Sequence, residues 1–170
     1  MDPEFRVSPL AMAVLSLLHA GPLHPYAMQR LIKEWGKDRV INVGQRANLY
    51  KTIRRLQDAG LVAVRQTERD QNYPERTVYE LTEAGRELWP VLHALVVWGE
   101  HHDLPNSRTF RHAACGTELN DGADCPTCGI TPAAGDILTE PRPGRGRHRD
   151  DPVAVALRGP HRLLEPLAVD

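Results

Sequence analysis

The sequence predicts a mainly α protein with a small β-wing, an α+β fold class, and three observations lead to that prediction. Apolar residues recur at helical spacing in three segments before residue 60. Two short segments with the alternation of strands follow, joined by a polar stretch that contains Pro74. Beyond residue 106, cysteine, histidine, glycine and proline replace most of the aliphatic residues. A group of helices, a hairpin and a poorly packed C-terminal part are therefore expected in that order.

The first predicted helix opens with Ser8 as its N-cap and Pro9 at its first position, where proline is well tolerated. Its apolar positions continue as far as Gly21, where it stops. Gly60 ends the third helix, because glycine readily adopts the left-handed conformation that follows many helix ends. The other predicted segments are two helices over about Pro25–Gly36 and Gln45–Ala59 and two strands over Leu61–Arg65 and Thr77–Leu81.

The third predicted helix combines an apolar seam, formed by Leu49, Ile53 and Leu56, with a polar and basic flank. Such a flank on a rigid helix can read base edges in a major groove, and an adjoining hairpin can bind phosphates. Residues 8–82 are therefore interpreted as a winged helix–turn–helix domain that binds double-stranded DNA. The residues of the flank are Gln45, Arg46, Asn48, Lys51, Thr52 and Arg55.

Charge supports this interpretation only locally. The chain of 170 residues has a formal net charge of −1, which gives no argument for a nucleic acid. Between Lys37 and Arg76, however, basic residues outnumber acidic ones, as a DNA-binding surface requires. A solvated surface of mixed charge is the alternative interpretation of the same pattern.

A fourth helix is predicted over residues 83–104, capped at Thr82, with Pro90 either kinking it or starting it again. Its apolar surface is large for a helix at the end of so small a domain. We interpret it as a dimerisation helix, since DNA-binding proteins of this size commonly pair to span two half-sites. Packing against the first helix of the same chain is the alternative. The expected interface residues are Leu88, Val91, Leu92, Leu95 and Trp98.

Residues 108–131 contain two short motifs with the spacing of metal ligands. In each motif a glycine permits a tight turn in which backbone N–H groups point at the sulfur ligand. Three thiolates and one imidazole complete a tetrahedron around Zn²⁺ with no open position, which is typical of a structural site. A zinc-ribbon-like or zinc-knuckle segment is predicted, folded by its metal because it has few core residues. The motifs are His112-x-x-Cys115-Gly116 and Cys125-x-x-Cys128-Gly129.

Three alternatives stay open for this segment. The dithiol of Cys125 and Cys128 could be redox-active, although no helix beside a parallel sheet is predicted around it. Cys115 could act as a free thiol, which makes a thiol-based redox sensor an alternative function. The fourth metal ligand could be Asp124 or His101 instead of the motif histidine.

Residues 132–170 are predicted to form a linker and a C-terminal tail. The part up to Asp151 is rich in proline, glycine and arginine, and it cannot bury enough apolar surface to order itself. Apolar residues return between Pro152 and Leu167, where one or two helical turns could dock on the body of the protein. A partly disordered tail completes the predicted fold class.

The sequence predicts no targeting signal at the N-terminus. The opening MDPEF looks like a remnant of cloning, and residues 1–7 are left out of the predicted fold. The apolar run Leu10–Leu18 is too short to span a bilayer. We therefore expect a cytoplasmic protein without a membrane partner, in which paired thiols more often bind metal than form a structural disulfide.

Residues 8–88 resemble the PadR-type winged helix–turn–helix regulators. The motifs that carry the resemblance are LSLLHAGPLHPYAMQRL, NLYKTIRRLQDAGLV and TVYELTEAGREL. The segment LTEAGRELWPVLHALVVWGEHH, residues 81–102, is also similar to HxlR-type and MarR-like relatives. The chain departs from typical PadR proteins because it lacks their long helical C-terminal dimerisation domain, on which a PadR-type effector pocket between those helices depends.

The resemblance implies a dimeric, sequence-specific transcription regulator, usually a repressor, that binds operator DNA. It places Gln45, Arg46, Asn48, Lys51 and Thr52 in the groove. It also implies that Tyr50 packs or touches a phosphate and that the wing contacts the backbone through Arg65, Arg69 and Arg76.

Two other classes of function follow from different interpretations. The winged helix and the zinc segment could instead contact a protein partner, as an interaction module. An enzyme is not expected, because no nucleophile–base arrangement, phosphate loop or pair of carboxylates fills an active-site role. A small-molecule effector is not identified by the sequence.

Overall fold

The computed structural model describes residues 8–35, 46–68, 76–104, 106, 108–144 and 150–167. The chain forms two compact units, Met1–Gly85 and Arg86–Asp170. The helices are α1 (Pro9–Ala20), α2 (Pro25–Glu34), α3 (Arg46–Asp58), α4 (Glu83–Arg86), α5 (Trp89–His101) and α6 (Pro152–Ala156). The strands are β1 (Val62–Glu68), β2 (Arg76–Leu81), β3 (Arg108–His112), β4 (Ile137–Pro141) and β5 (His161–Arg162).

The first two helices begin at side-chain caps. The Ser8 hydroxyl accepts a hydrogen bond from the Ala11 N–H at 3.2 Å, with Pro9 in the first turn of α1. The ring of His24 does the same for the Ala27 N–H at 3.0 Å and begins α2. Each cap satisfies one of the donors that a helix leaves unpaired at its start, so the predicted starts at Ser8 and Pro25 are confirmed.

Helix α3 packs on α1 and α2 through the predicted seam. Leu49, Ile53 and Leu56 are each 1% exposed, at positions i, i+4 and i+7. The helix ends where Gly60 adopts a left-handed φ of 72°. The Gly60 N–H then donates to the Gln57 carbonyl at 2.8 Å and the Leu61 N–H to the Leu56 carbonyl at 2.9 Å. This double hydrogen bond is a Schellman motif, and it directs the chain into β1.

Strands β1 and β2 form an antiparallel hairpin, the wing. Val62 pairs with Leu81 at its base. The register shifts between Val64 and Gln66, so a bulge containing Arg65 interrupts the pairing. Leu23 pairs with the other side of β2 through two hydrogen bonds to Tyr79 and joins the helices to the wing.

Gly85 in α4 lies against the base of the wing. A Cβ at this position would lie 2.2 Å from the carbonyl oxygen of Leu61, which belongs to the backbone and cannot rotate away. We expect Gly85→Ala to lower the free energy of unfolding of the N-terminal unit by about 1–3 kcal/mol or more, through overpacking. Urea unfolding monitored by circular dichroism measures the change.

Gly99→Ala in α5 is the matched control for Gly85→Ala. Its Cβ would meet Leu104 at 3.6 Å, an ordinary contact, and alanine favours a helix over glycine. Equal loss of stability in both variants would contradict the clash.

The predicted fourth helix is two helices. α4 spans only Glu83–Arg86, and the Thr82 hydroxyl accepts from the Gly85 N–H at 3.2 Å. α5 begins at Trp89, with Pro90 in its first turn. The chain therefore starts a new helix at the proline, which is one of the two outcomes predicted for this position.

The C-terminal unit is built on a three-stranded antiparallel sheet in the order β3-β4-β5. In this sheet Phe110 pairs with Thr139, and Thr139 pairs with His161. The apolar core consists of Trp89, Leu119, Cys125, Ala134, Ile137 and Leu163, with Phe110 and Leu164 packed against it.

Part of the predicted linker and tail lies in this sheet. Strand β4 occupies residues 137–141 and places Ile137 and Thr139 on the buried side. The Leu163 N–H, in the region predicted to form helical turns, donates to the Ile137 carbonyl at 3.0 Å. Val153 of α6 is 2% exposed. Residues distant in sequence thus supply the apolar contacts that the composition of 132–151 alone does not.

Candidate metal centre and nucleic-acid interface

The first metal-ligand turn follows β3 directly. His112 is the last residue of that strand, and Gly116 has a φ of 71°. The Gly116 N–H donates to the His112 carbonyl at 2.8 Å, and the Cys115 N–H donates to the same oxygen at 3.3 Å. Because φ is positive at Gly116, the chain reverses there and brings the thiol of Cys115 over the imidazole of His112.

The second turn repeats this geometry. Gly129 has a φ of 67°, and its N–H donates to the Cys125 carbonyl at 2.8 Å. The Cys125 N–H donates to the Ile130 carbonyl at 2.8 Å and closes the turn. The two glycines that the motif spacing singled out are therefore both in the left-handed conformation.

The two turns bring four ligand atoms together. The atoms offered by His112, Cys115, Cys125 and Cys128 all lie within 4.8 Å of one another. The Cys115 Sγ is 3.5 Å from the His112 Nδ1 and 3.4 Å from the Cys125 Sγ. A tetrahedral zinc site with bonds of about 2.3 Å to sulfur and 2.0–2.1 Å to nitrogen has edges of roughly 3.6–3.8 Å. The four residues form a cluster with the donors and the spacing to hold a metal ion.

The exposure of the ligands differs between the members of each pair. His112 and Cys125 are buried, at 6% and 0% exposed, whereas Cys115 and Cys128 are exposed. Hydrogen bonds from the Thr117 hydroxyl and backbone N–H lower the pKa of Cys115 to about 6. Hydrogen bonds with the thiols of Cys115 and Cys125 raise the pKa of Cys128 to about 11. A metal ion that binds three thiolates must therefore displace protons, so its affinity rises with pH.

The two alternative fourth ligands make other contacts. The Asp124 carboxylate accepts a hydrogen bond from the Thr131 hydroxyl at 2.5 Å. The His101 Nε2 lies 3.8 Å from a carboxylate oxygen of Asp121. The cluster contains His112 in their place.

His93 of α5 is buried at 5% exposed, with its ring centroid 5.7 Å from that of Phe110 on β3. Burial lowers the pKa of His93 below its usual value, against the smaller opposite effects of Asp121 and Glu100. The unfolded chain then binds the proton more readily. Stability from this residue is full above about pH 6.5 and is lost as the pH falls through the lowered pKa.

We expect His93→Phe to flatten the dependence of stability on pH between about 7 and 5.5, because phenylalanine keeps the ring packing and does not titrate. The midpoint of urea unfolding as a function of pH measures it. His101→Gln, at an exposed position of the same helix, should keep the slope of the wild type. An unchanged slope in His93→Phe would contradict the assignment.

The exposed face of α3 carries a row of basic residues. Tyr50, Lys51, Arg54 and Arg55 are exposed, while Asn48 and Thr52 are half-buried. The Thr52 hydroxyl donates to the backbone carbonyl of Asn48 at 2.8 Å, in the same helix. Arg54 was absent from the sequence-based prediction, although its spacing of three from Lys51 and four from Tyr50 could have indicated it.

The remaining predicted DNA contacts lie at the edges of the described structure. Gln45 and Arg69 are outside the described residues, while Arg46 begins α3 and Arg76 begins β2. Arg65, in the bulge of the wing, is exposed and its Nη1 lies 3.4 Å from the Glu80 carboxylate.

A shallow cavity lies beside Tyr50, between α2 and α3. It has a volume of about 40 Å³ and is lined by Pro25, Tyr26, Gln29, Leu49 and Tyr50. Pockets for drug-sized ligands are larger, at roughly 300–1,000 Å³. The cavity therefore gives no support to a small-molecule effector at this place.

The predicted dimer residues divide between two faces of α5. Leu92 is buried at 8% exposed in its own unit, and Leu88 is half-buried. Val91, Leu95 and Trp98 are 53%, 51% and 57% exposed. These three residues, at positions i, i+4 and i+7, form one apolar row along the helix, which we call the α5 face. No helix among the described residues has the length and hydropathy needed to cross a membrane.

The model of the transcriptional regulator PadR-like family matches residues 14–91, from α1 to the first turn of α5. Residues 14–91 belong to the PadR-like family. The PadR resemblance found in the sequence is thereby confirmed, as is the mixed α+β fold with its winged helix. The metal-ligand cluster lies outside the PadR match.

Part of the chain is also similar to HTH-type transcriptional regulators. Uncharacterized HTH-type transcriptional regulators of Mycobacterium tuberculosis and Mycobacterium bovis are 37% identical over 75 residues, which is 42% of this chain. The chain spans about half the length of these curated relatives, with 47% of each covered. The matched family and these relatives are regulators and not enzymes.

Two solved structures are similar to part of the chain. Bacillus subtilis PadR, in complex with operator DNA, is 25% identical, with a TM-score of 0.44, over 54% of this chain and 49% of its own. A PadR-like transcription factor from Bacteroides fragilis is 24% identical, with a TM-score of 0.43, over 55% of this chain and 84% of its own.

Proposed function

We propose that this chain is a homodimeric, sequence-specific DNA-binding transcription regulator of the PadR type, acting as a repressor, with a structural Zn²⁺ in its C-terminal unit. The observation that carries the proposal is the exposed basic row on α3, next to the wing of a PadR-family winged helix. The apolar seam of α3 is fully buried, so the orientation of the helix is fixed and its basic row faces solvent. A rigid, preoriented helix of this kind suits a major groove.

The contacts to DNA divide into two kinds in this proposal. Lys51 and Arg54 of α3 enter the groove and read base edges, and Gln45 and Arg46 are expected to add further base contacts. Tyr50 and Arg55 lie at the margins of the row, where phosphates pass. Arg65 and the other arginines of the wing, Arg69 and Arg76, neutralise the backbone and add affinity without sequence preference.

The metal in this proposal is zinc. Thiolate and imidazole ligands in a tetrahedral arrangement suit Zn²⁺, and four protein ligands leave no position open for substrate. The three thiols lie within one cluster with His112, at distances close to those of a zinc tetrahedron. The site would serve structure, because Cys125 is part of the apolar core of its unit.

A second copy of the chain covers the α5 face in this proposal. If two α5 helices pair antiparallel about the point between Ala94 and Leu95, Val91 of one copy opposes Trp98 of the other. The same symmetry brings Glu87 before one helix to His102 after the other, and both residues are exposed. The helix dipoles also run in opposite directions. The pair is isologous, as a two-fold dimer requires.

A salt titration of DNA binding tests the regulator assignment. We expect the affinity for random duplex DNA to fall steeply with salt, with a slope of about −0.9 in log units for each phosphate neutralised. Fluorescence anisotropy of a labelled duplex measures the slope between about 50 mM and 200 mM salt. A slope near zero would instead favour the interaction module that contacts a protein partner.

A further inference from the structure

The two faces of α5 have different neighbours. The α5 face is exposed on one side of the helix, and the opposite side packs on the sheet next to the metal-ligand turns. The Trp89 ring lies edge-on to the Phe110 ring, with centroids 4.9 Å apart, and the His93 ring is 5.7 Å from the same phenylalanine. Phe110 lies on β3, two residues before His112. The first turns of α5 therefore rest on the strand that leads to the first metal ligand.

The buried ligand shares its core with α5. Cys125 is 0% exposed and belongs to one apolar cluster with Trp89 and Leu119. The Leu119 N–H donates to the Phe110 carbonyl at 2.9 Å, which fixes the segment between the two metal-ligand turns against β3. A change in the position of the Cys125 sulfur therefore reaches α5 through direct contacts.

The far end of α5 is held by the same unit. The Glu100 carboxylate accepts a hydrogen bond from the Asn106 amide at 2.8 Å and lies 3.0 Å from the Arg142 guanidinium. His101 lies 3.8 Å from Asp121, in the segment that joins the two metal-ligand turns. Both ends of α5 thus contact the sheet or the segments that flank the metal-ligand turns.

The metal site opens to solvent. Cys115 and Cys128 are exposed, one from each turn, while their partners His112 and Cys125 are buried. An ion can therefore reach two of its four ligands from solvent and leave by the same route. A site of this form can respond to the concentration of free metal, which a fully enclosed site would do only slowly.

We propose that a thiophilic divalent metal ion, with Zn²⁺ as the first candidate, is the effector of this regulator. Occupancy of the four-residue site orders the sheet and the turns on which α5 rests, and so presents the α5 face for pairing with a second copy. The metal-loaded chain dimerises and binds paired half-sites, and the metal-free chain does neither efficiently. This inference rests on the proposed function, because it uses both its metal site and its dimer.

Linkage makes the inference quantitative. If zinc strengthens self-association by some factor, self-association must strengthen zinc binding by the same factor. The affinity for zinc should then rise with protein concentration. A zinc site that only stabilises the fold of its unit, without coupling to self-association, has an affinity independent of protein concentration.

The experiment uses the full chain with a chromophoric zinc chelator as competitor. Zinc affinity is measured at protein concentrations below and above the dimer dissociation constant, which sedimentation determines with and without zinc. We expect at least a tenfold change in self-association on zinc binding and an equal change in zinc affinity across the two concentrations. Binding to a duplex selected from a random pool by the zinc-loaded protein should change in the same direction.

Three variants separate the steps. Trp98→Ala, on the exposed face, should bind one zinc per chain with an affinity that no longer depends on protein concentration. Phe110→Leu should keep zinc but show a smaller change in self-association, because leucine makes a smaller contact with the Trp89 ring. Asp124→Asn changes a nearby half-buried carboxylate that is outside the cluster, keeps an oxygen to accept from Thr131, and should behave as the wild type.

Three outcomes separate failure of the metal-effector proposal from failure of the proposed function. If no zinc binds, the proposed metal site fails and the inference fails with it. If one zinc binds and self-association is the same with and without it, the inference is overturned while the metal site and the regulator assignment stand. If the loaded protein stays monomeric at all concentrations, the α5 face is not a dimer surface.

Discussion

Removal of zinc from the full chain is expected to unfold the C-terminal unit and leave the winged helix folded. The core of that unit has few aliphatic side chains and includes the ligand Cys125. Structural zinc contributes about 10–16 kcal/mol of apparent binding free energy in small zinc domains at pH 7, and this is folding free energy where the apo form is unfolded. The N-terminal unit has a separate core built on α1, α2 and α3.

Hydrogen exchange before and after treatment with a chelator measures this effect. Backbone amides of β3 and β4 should lose protection, and those of α1 and α3 should keep it. Cys128→Ser should reproduce the chelated state without chelator. Its matched control is Thr127→Ser, which keeps the hydroxyl that hydrogen-bonds to Thr117 at 2.7 Å. Full protection of β3 in a sample that metal analysis shows to be zinc-free would contradict the expectation.

The double variant Lys51→Ala/Arg54→Ala is expected to lower the affinity for specific DNA by roughly 30-fold or more. Each good contact to a base is worth about 1–3 kcal/mol, and two such contacts are removed. Both side chains are exposed, whereas the seam beneath them is unchanged, so the fold should persist. Anisotropy with the selected duplex gives the affinity, and circular dichroism confirms the fold.

Arg30→Ala is the control for charge. Arg30 lies on α2 of the same unit, is 42% exposed and pairs with Glu34 at 3.5 Å one turn away. Its loss removes a positive charge from the unit without touching α3. If both variants lost affinity equally after correction for the number of charges, binding would depend on general charge, and α3 would not be the recognition helix.

The winged helix and the clustering of one histidine with three cysteines could be predicted because their signals are local. The seam of Leu49, Ile53 and Leu56 fixes the period of α3, and Gly60 marks its end. The metal motifs place each ligand pair within one turn of the chain, so their geometry follows from the spacing and the glycines. In such cases the residues that decide the structure are neighbours in sequence.

The remaining features depend on packing between distant segments. Strand β4 forms because β3 and β5 supply its hydrogen bonds, and no pattern within residues 132–151 shows this. The side of α3 that faces solvent depends on how the helix docks. If the helix is turned about its axis by one residue, about 100°, Thr52 leaves the exposed row and Arg54 enters it. Leu92 likewise belongs to the buried side of α5 although its apolar neighbours face solvent.

The bulge at Arg65 adds one residue to β1 between two paired positions of the wing. Paired residues of antiparallel strands face the same side of a hairpin, so Val64 and Gln66, although two residues apart, face opposite sides together with their partners Tyr79 and Val78. Deleting Arg65 would make Val64 and Gln66 neighbours in a regular ladder, and each would keep its partner on β2. The position of Arg65 is therefore one at which β1 can lose a residue without changing the side that Gln66 faces.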